Sequence, residues 1–281
     1  MKVHNHLPLL IECLSRWKTR PSEEQFIREY ALPLQSTMGG FFDDFYEVLL
    51  DLDWSSYRTH ALTLDPAYEE SRFTENLNQV EALFDFKLPG EVFLMGTFQH
   101  MDGFARFDQG THKVYLGLDE DHLNGRYLDI LTVHELTHVA RETRPEVWQG
   151  YGLNPKMKRS DYLDSQTVIE HLMGEGFSCA VSEILVPGEE QWKYTYQSRE
   201  SLEQVMNHAH HFDRVIKSEL RSNDGDYGNL YGLEPLYAHY VWAWRWVKQL
   251  IREHGDGDPR KLVGLCSKDL IDHALQFSLR A

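Results

Sequence analysis

His134, Glu135 and His138 are the residues of this 281-residue chain whose types and spacing most directly imply chemistry. They stand in the run His134-Glu135-Leu136-Thr137-His138. On a helix, residues four apart lie on one face. The two imidazoles then project together, one turn apart, as two ligands of a single metal ion must. Glu135 sits beside them, placed to take a proton from a water. The pattern His-Glu-x-x-His is a signature of zinc hydrolases with the glutamate as general base, so Zn2+ is the expected ion.

Such a site needs a third protein ligand and keeps one position open. A histidine six residues past His138, following a glycine three past it, is excluded: those positions hold Arg144 and Arg141. The other solution is a glutamate on a second helix downstream. Residues 165–185 fit it, with Val168, Ile169, Leu172, Met173, Ala180, Val181 and Ile184 facing inward and Pro187-Gly188 closing the segment. Glu175 stands there between Gly174 and Gly176. Each mid-helix glycine costs about 1 kcal/mol relative to alanine. Close packing against the motif helix, with Glu175 turned to the metal, would offset that. Glu170, His171 and Glu183 lie on the same helix and are rival ligands.

The elements that must position these groups follow from apolar periodicity. Residues 127–141 carry an apolar stripe of Leu128, Leu131, Leu136 and Val139, joined by Ile130, Val133 and Ala140. Asn124 or Asp121 could cap this helix, and Pro145 ends the pattern. Polar groups in so apolar a helix are costly to bury unless paired or metal-bound. Upstream, residues 91–95, 103–107 and 113–118 read as strands, with a turn at Asp108-Gln109-Gly110. Residues 1–88 read as helical, including 41–50 and 77–84, and residues 191–281 as helical again. The expected division is therefore 1–88, a core at 89–190 and 191–281, packed as one unit.

His-Glu-Leu-Thr-His-Val-Ala-Arg from His134, followed by Gly-Glu-Gly-Phe-Ser from Gly174, resembles the YjaZ-like family of predicted zinc-dependent proteases. The resemblance covers residues 90–255 loosely and 110–185 well, and extends upstream through the strand segment 96–118. It implies a gluzincin-type peptidase whose third ligand, from a Glu-Gly-x-Ala motif, is Glu175. It also implies that a strand edge beside the motif helix holds the substrate extended; 113–118 is the candidate edge, the alternative being an ordinary core strand. Ser178 replaces the family's usual alanine. Thermolysin-like enzymes carry Asn-Glu-x-x-Ser-Asp at the third ligand, where this chain has Gly174, Glu175, Ser178 and Cys179. The aspartate that would orient a ligand histidine is thus absent, although such histidines need an acceptor behind them. Asp129, Asp161, Asp164 or a backbone carbonyl are the candidates.

A zinc peptidase also needs a donor for the oxyanion of its tetrahedral intermediate. In the aromatic-rich segment 231–246, Tyr237, His239 and Tyr240 are the candidates, although aromatics at helical spacing more often build core. His208, His210 and His211 form a further cluster, but no carboxylate lies three or four residues from His208 or His211, so a solvated helix face is expected. His4 and His6 read the same way.

Composition sets the remaining bounds. A net charge of −16 disfavours nucleic acid and anionic membrane surfaces. Cys13, Cys179 and Cys266 are scattered and odd in number, so no disulfide framework is expected. Residues 7–14 are too broken by Pro8 and Glu12 to be a signal peptide, and no run of 18 or more apolar residues could span a bilayer, so a cytoplasmic location is expected. The reading is an α+β, zincin-like metallopeptidase with a small mixed sheet beside the motif helix. Its substrate is a peptide or protein. The alternatives are a peptidase-like zinc protein kept for binding or regulation, and a hydrolase of non-peptide amides.

Overall fold

Four strands and the helices packed around them build the α+β architecture of the computed structural model, which describes residues 1–38, 45–108, 110–119, 126–150, 166–222 and 228–280. The strands are β1 (Lys2–Asn5), β2 (Glu91–Met95), β3 (Gly103–Asp108) and β4 (Thr111–Gly117), in spatial order β1-β2-β4-β3. β1 and β4 both run parallel to β2, and β3 pairs antiparallel with β4. A parallel pair needs a crossover, and the N-terminal helices supply it between β1 and β2.

Register gives the sheet two distinct faces. On one, His4, Phe93, Tyr115 and Phe104 are successive cross-strand partners. Their rings stack at centroid separations of 4.8, 4.9 and 4.8 Å, and the Arg106 guanidinium lies 5.0 Å from the Tyr115 ring. Such cross-strand pairs are the unit that stabilises a sheet. His4 is therefore a member of this ladder, with Nε2 3.3 Å from Glu91, and not part of a solvated helix face. His6 stacks on the same Phe93 ring. On the opposite face Gly103 and Ala105 keep the surface low: a Cβ at Gly103 would stand 3.4 Å from Leu131 of the motif helix. Small residues there let that helix approach β3.

The motif helix spans Arg126–Glu142 and is buried almost all round. Asp121 and Asn124, its candidate caps, lie outside the described residues. The helix ends at Glu142, ahead of Pro145 as expected, and Pro145 opens a short helix, Pro145–Gly150, where its missing N–H is harmless. The helix Pro66–Phe84, longer than the 77–84 expected, is capped by Asp65 and packs on the motif helix. Asp129 bonds Arg72 Nε at 2.7 Å and Asn76 at 2.9 Å, so it ties these two helices together and does not orient a histidine. Of the expected helix at 41–50, the described part is Phe45–Asp51.

The second predicted helix runs Val168–Leu185, with Thr167 as its N-cap accepting from Glu170 N–H. A fourth long helix, Ala238–Glu253, packs along it and carries three buried tryptophans. Each indole N–H finds a partner: Trp242 on Asp213 at 2.9 Å, Trp244 on Glu183 at 3.0 Å and Trp246 on His273 at 3.1 Å. This stretch of the aromatic segment is core. Buried apolar residues from Leu7 to Leu279 form one cluster. Among the described residues, no helix is long and apolar enough to cross a membrane. The three cysteines are free.

One buried carboxylate shapes the approach to the motif helix. Asp119 is fully buried and accepts from Thr97 N–H and Phe98 N–H, both at 2.7 Å, and from the Tyr57 hydroxyl at 2.6 Å. Burial raises its pKa, and these donors offset part of the rise. The turn they pin has positive φ at Phe98 (55°) and Gln99 (61°) and leads directly into residues 100–103.

Candidate metal centre

His134 and His138, one turn apart on the motif helix, both turn Nε2 toward Glu175 of the second helix. His134 Nε2 is 3.1 Å from Glu175 Oε2, His138 Nε2 is 3.4 Å from the same oxygen, and the two Nε2 atoms are 3.1 Å apart. A tetrahedral zinc ion with bonds near 2.0–2.1 Å needs ligand atoms about 3.3 Å from one another. The triangle fits, and the donor set of two imidazoles and a carboxylate suits zinc. Glu175 thus joins the pair, and the rival ligands are otherwise engaged. Glu170 faces Arg141, and Glu183 takes Lys248 at 2.7 Å and Trp244; His171 stands beside the triangle, with Nδ1 3.8 Å from Glu175 Oε1 and Nε2 3.5 Å from His239 Nε2, but does not join the three atoms that converge.

The charges reveal how the cluster balances itself. Burial pushes the Glu175 carboxyl up, but His138 and His134 overcome this and hold it well below the usual range. Burial pulls His138 down, and Glu175, with Glu135 and Glu142, reverses it to about 9. His134 stays lowered by burial despite Glu175. Glu135, 6% exposed, is pushed up to about 8 by burial, against the opposing effects of His138 and of the Ala105 N–H it accepts from.

The two glycines beside Glu175 have separate reasons. Gly174 faces the motif helix: a Cβ would stand 3.6 Å from His138, in ordinary contact. Gly176 faces the other way, and a Cβ there would collide with the Ala243 carbonyl. The expected close approach therefore exists mainly between this helix and Ala238–Glu253. Behind His134, Cys179 Sγ lies 3.8 Å from Nδ1, at the position the aspartate was expected to fill. Asp161 and Asp164 lie outside the described residues.

Arg141 locks the two ligand helices together. It is 1% exposed, and its guanidinium grips Glu170 through Nε and Nη2 at 2.9 and 2.8 Å. It also donates to the carbonyls of Val263 and Leu265 at 3.2 and 2.9 Å, while Ser267 Oγ donates to Glu170 at 2.5 Å. A bidentate pair fixes orientation as well as distance. Arg141 follows His138 by three residues and Glu170 precedes Glu175 by five, so the clamp sets the register of the candidate ligands.

Two cavities, of about 530 and 330 Å³, meet at His134, Glu135, Gly103 and Tyr240. β3 runs beside both. It is one of the two outer strands of the described sheet, whereas 113–118 falls largely in β4, held between β2 and β3. The candidate edge is therefore β3, and the expectation for 113–118 is corrected to a core strand. Tyr237 and Tyr240 both line the larger cavity. Tyr240 stacks on His134 at 6.4 Å and shares a hydrogen bond with Tyr231. His239 is fully buried behind them against His171, its pKa lowered to about 3 by burial, and does not line either cavity. His208, His210 and His211 are exposed and assemble no metal group among the described residues.

Tyr196 belongs to the site and was not foreseen. Its ring stands perpendicular to His134 at 5.0 Å, and its hydroxyl is buried without a partner among the described residues. Burial keeps that hydroxyl neutral, raising its pKa well above the usual value. Tyr196 reaches the site through a backbone reversal at φ 55°, which leaves no periodic trace in the sequence.

No protein-family model, curated protein or solved structure matches the chain.

Proposed function

We propose that this protein is a zinc-dependent metallopeptidase of the zincin-like, gluzincin type that its motifs resemble. The observation that carries the reading is the triangle of His134, His138 and Glu175, with edges of 3.1, 3.1 and 3.4 Å, beside the buried Glu135 carboxylate. Bound to that triad, zinc supplies Lewis-acid chemistry: it lowers the pKa of a water towards about 7 and polarises a carbonyl.

The chain's own groups do the rest. Glu135 takes the proton of the attacking water and passes it to the leaving amine nitrogen. Its burial raises its pKa in the metal-free site, which favours keeping the proton until the amine departs, while the charge of a bound zinc ion would favour the ionised form that accepts it. The Ala105 N–H fixes the carboxylate in place. The outer edge of β3 offers backbone donors and acceptors to an extended peptide, as sheet edges do elsewhere. The two cavities then receive side chains on either side of the scissile bond. Tyr196 supplies the missing donor: its buried, neutral hydroxyl lies beside His134, where the carbonyl oxygen gains negative charge.

Cleavage of a diverse peptide mixture, read by mass spectrometry, tests this. Zinc-loaded wild type should cut peptides, and Glu135→Gln should retain zinc while losing about 10²–10⁴-fold in rate. Equal silence from both, with zinc bound, would replace the reading with a binding or regulatory module.

A further inference from the structure

Resting on the zinc-site part of that reading, we infer that Cys179 is a positioning residue: its sulfur accepts the Nδ1–H of His134 and holds that imidazole with Nε2 turned to the metal. A ligand histidine carries its proton on the nitrogen that does not bind, and presents it to an acceptor. His134 turns Nε2 to Glu175 Oε2 at 3.1 Å, so Nδ1 is the nitrogen left to carry the proton. Cys179 Sγ stands 3.8 Å from that Nδ1, within reach of a large sulfur atom acting as acceptor. The cysteine is free and fully buried, so water does not compete for the contact. Asp129, the described carboxylate that was a candidate for this role, is engaged by Arg72 and Asn76.

One helix thereby holds both nitrogens of one ring. Cys179 follows Glu175 by four residues, so the two side chains lie one above the other on the face toward the motif helix. Contacts between the two helices climb in step. Arg141 meets Glu170, His134 lies between Glu175 and Cys179, and the Ile130 carbonyl accepts from Ser182 Oγ at 3.1 Å. Tyr196, perpendicular to the His134 ring at 5.0 Å, fixes the plane of that ring. The plane alone permits two orientations, half a turn apart, and the sulfur selects the one that presents Nε2. Sulfur is also a weaker acceptor than a carboxylate. It therefore raises the basicity of His134 less, and a zinc ion already facing one carboxylate ligand keeps more of its Lewis acidity.

Zinc affinity, measured by competition with a chromophoric chelator and set beside the denaturation of the metal-free protein, tests the assignment. Cys179→Ala keeps a small residue in the helix and removes the acceptor; it should bind zinc about tenfold more weakly than wild type. Cys179→Asp puts a stronger acceptor behind the ring. It should bind zinc at least about tenfold more tightly than Cys179→Ala, although a buried carboxylate makes the metal-free fold less stable. A residue that only fills space gives the opposite order, with the aspartate variant worst in both measurements. If Cys179→Asp does not fold, Cys179→Asn supplies a neutral acceptor for the same comparison. Wild-type affinity in Cys179→Ala, or no gain from the restored acceptor, would overturn the inference. The wild type gives an independent check: proton–nitrogen correlation spectra of the zinc-loaded protein should place the His134 proton on Nδ1, and a proton on Nε2 would also overturn it. The cuts made by the wild type separate this from the parent reading. Unchanged zinc binding in Cys179→Ala with peptides still cut removes the positioning role and leaves the peptidase. A zinc affinity that depends on Cys179 without any cutting does the reverse, and a wild type that takes up no zinc overturns both.

Discussion

Two groups of histidines and carboxylates in this molecule look alike on paper: His134, His138 and Glu175, and Glu253, His254 and His273. The second is poorly suited to a metal, because both ring nitrogens of His273 are already committed. His273 Nδ1 accepts from the Trp246 indole at 3.1 Å, so Nε2 must carry the proton it directs at Glu253, 2.9 Å away. Glu253 takes Gln249 as well, at 2.8 Å, and Glu253 and His254 are exposed. In the first group, two imidazoles turn the same nitrogen to one carboxylate oxygen, inside the packed helices. The comparison teaches that proximity of ligand types is not enough. The free lone pairs must converge, and something rigid must keep them so.

The largest expected effect breaks the first group. His134→Ala, His138→Ala and Glu175→Ala should each abolish stoichiometric zinc binding and hydrolysis, read by metal analysis and peptide turnover. Glu253→Ala and His273→Ala should leave both unchanged. Loss of zinc from the second pair of variants would invert the comparison.

The next effect concerns rigidity. Glu170→Ala strands the buried Arg141 charge and should cost about 3–5 kcal/mol in chemical denaturation. Removing both charges, as Arg141→Met with Glu170→Leu, should recover much of that stability. Its zinc affinity should remain weakened, since the register clamp is gone. Full affinity in the double variant would mean the helices need no clamp.

How much of this was legible beforehand follows from what is local in sequence. His134, Glu135 and His138 lie one turn apart, so their geometry is set by the helix itself. Glu175 was marked by its glycines, yet Gly176 answers to Ala243, a contact no spacing announces. The β3–β4 hairpin was readable from its turn, but not which strand lies outside. That depends on β4 pairing with β2 across the sheet, a long-range choice. The Arg141–Glu170 clamp and Tyr196 were missed for the same reason: each joins segments that only the fold brings together.

The glycines give a smaller, sharper test. Gly176→Ala should destabilise by about 1–3 kcal/mol through overpacking against Ala243. Gly174→Ala, with room beside His138, should be neutral or add up to about 1 kcal/mol of helix stability. Equal penalties in thermal unfolding would place the close approach at the motif helix after all.

A separate effect is a pH dependence confined to the metal-free protein. Glu135 and His138 have folded pKa values raised to about 8 and about 9, above their unfolded 4.5 and 6.5. Both groups bind protons more tightly when folded, so stability falls as pH rises through those windows. Chelated protein should therefore melt lower at pH 9 than at pH 6, and the difference should vanish in the Glu135→Gln, His138→Ala double variant.

The most direct measurement is zinc content together with the X-ray absorption spectrum of the loaded protein. The account predicts one zinc per chain, two imidazole nitrogens and a carboxylate oxygen at about 2.0–2.2 Å, and no sulfur. A second equivalent of zinc, or a sulfur shell near about 2.3 Å from Cys179, would contradict it.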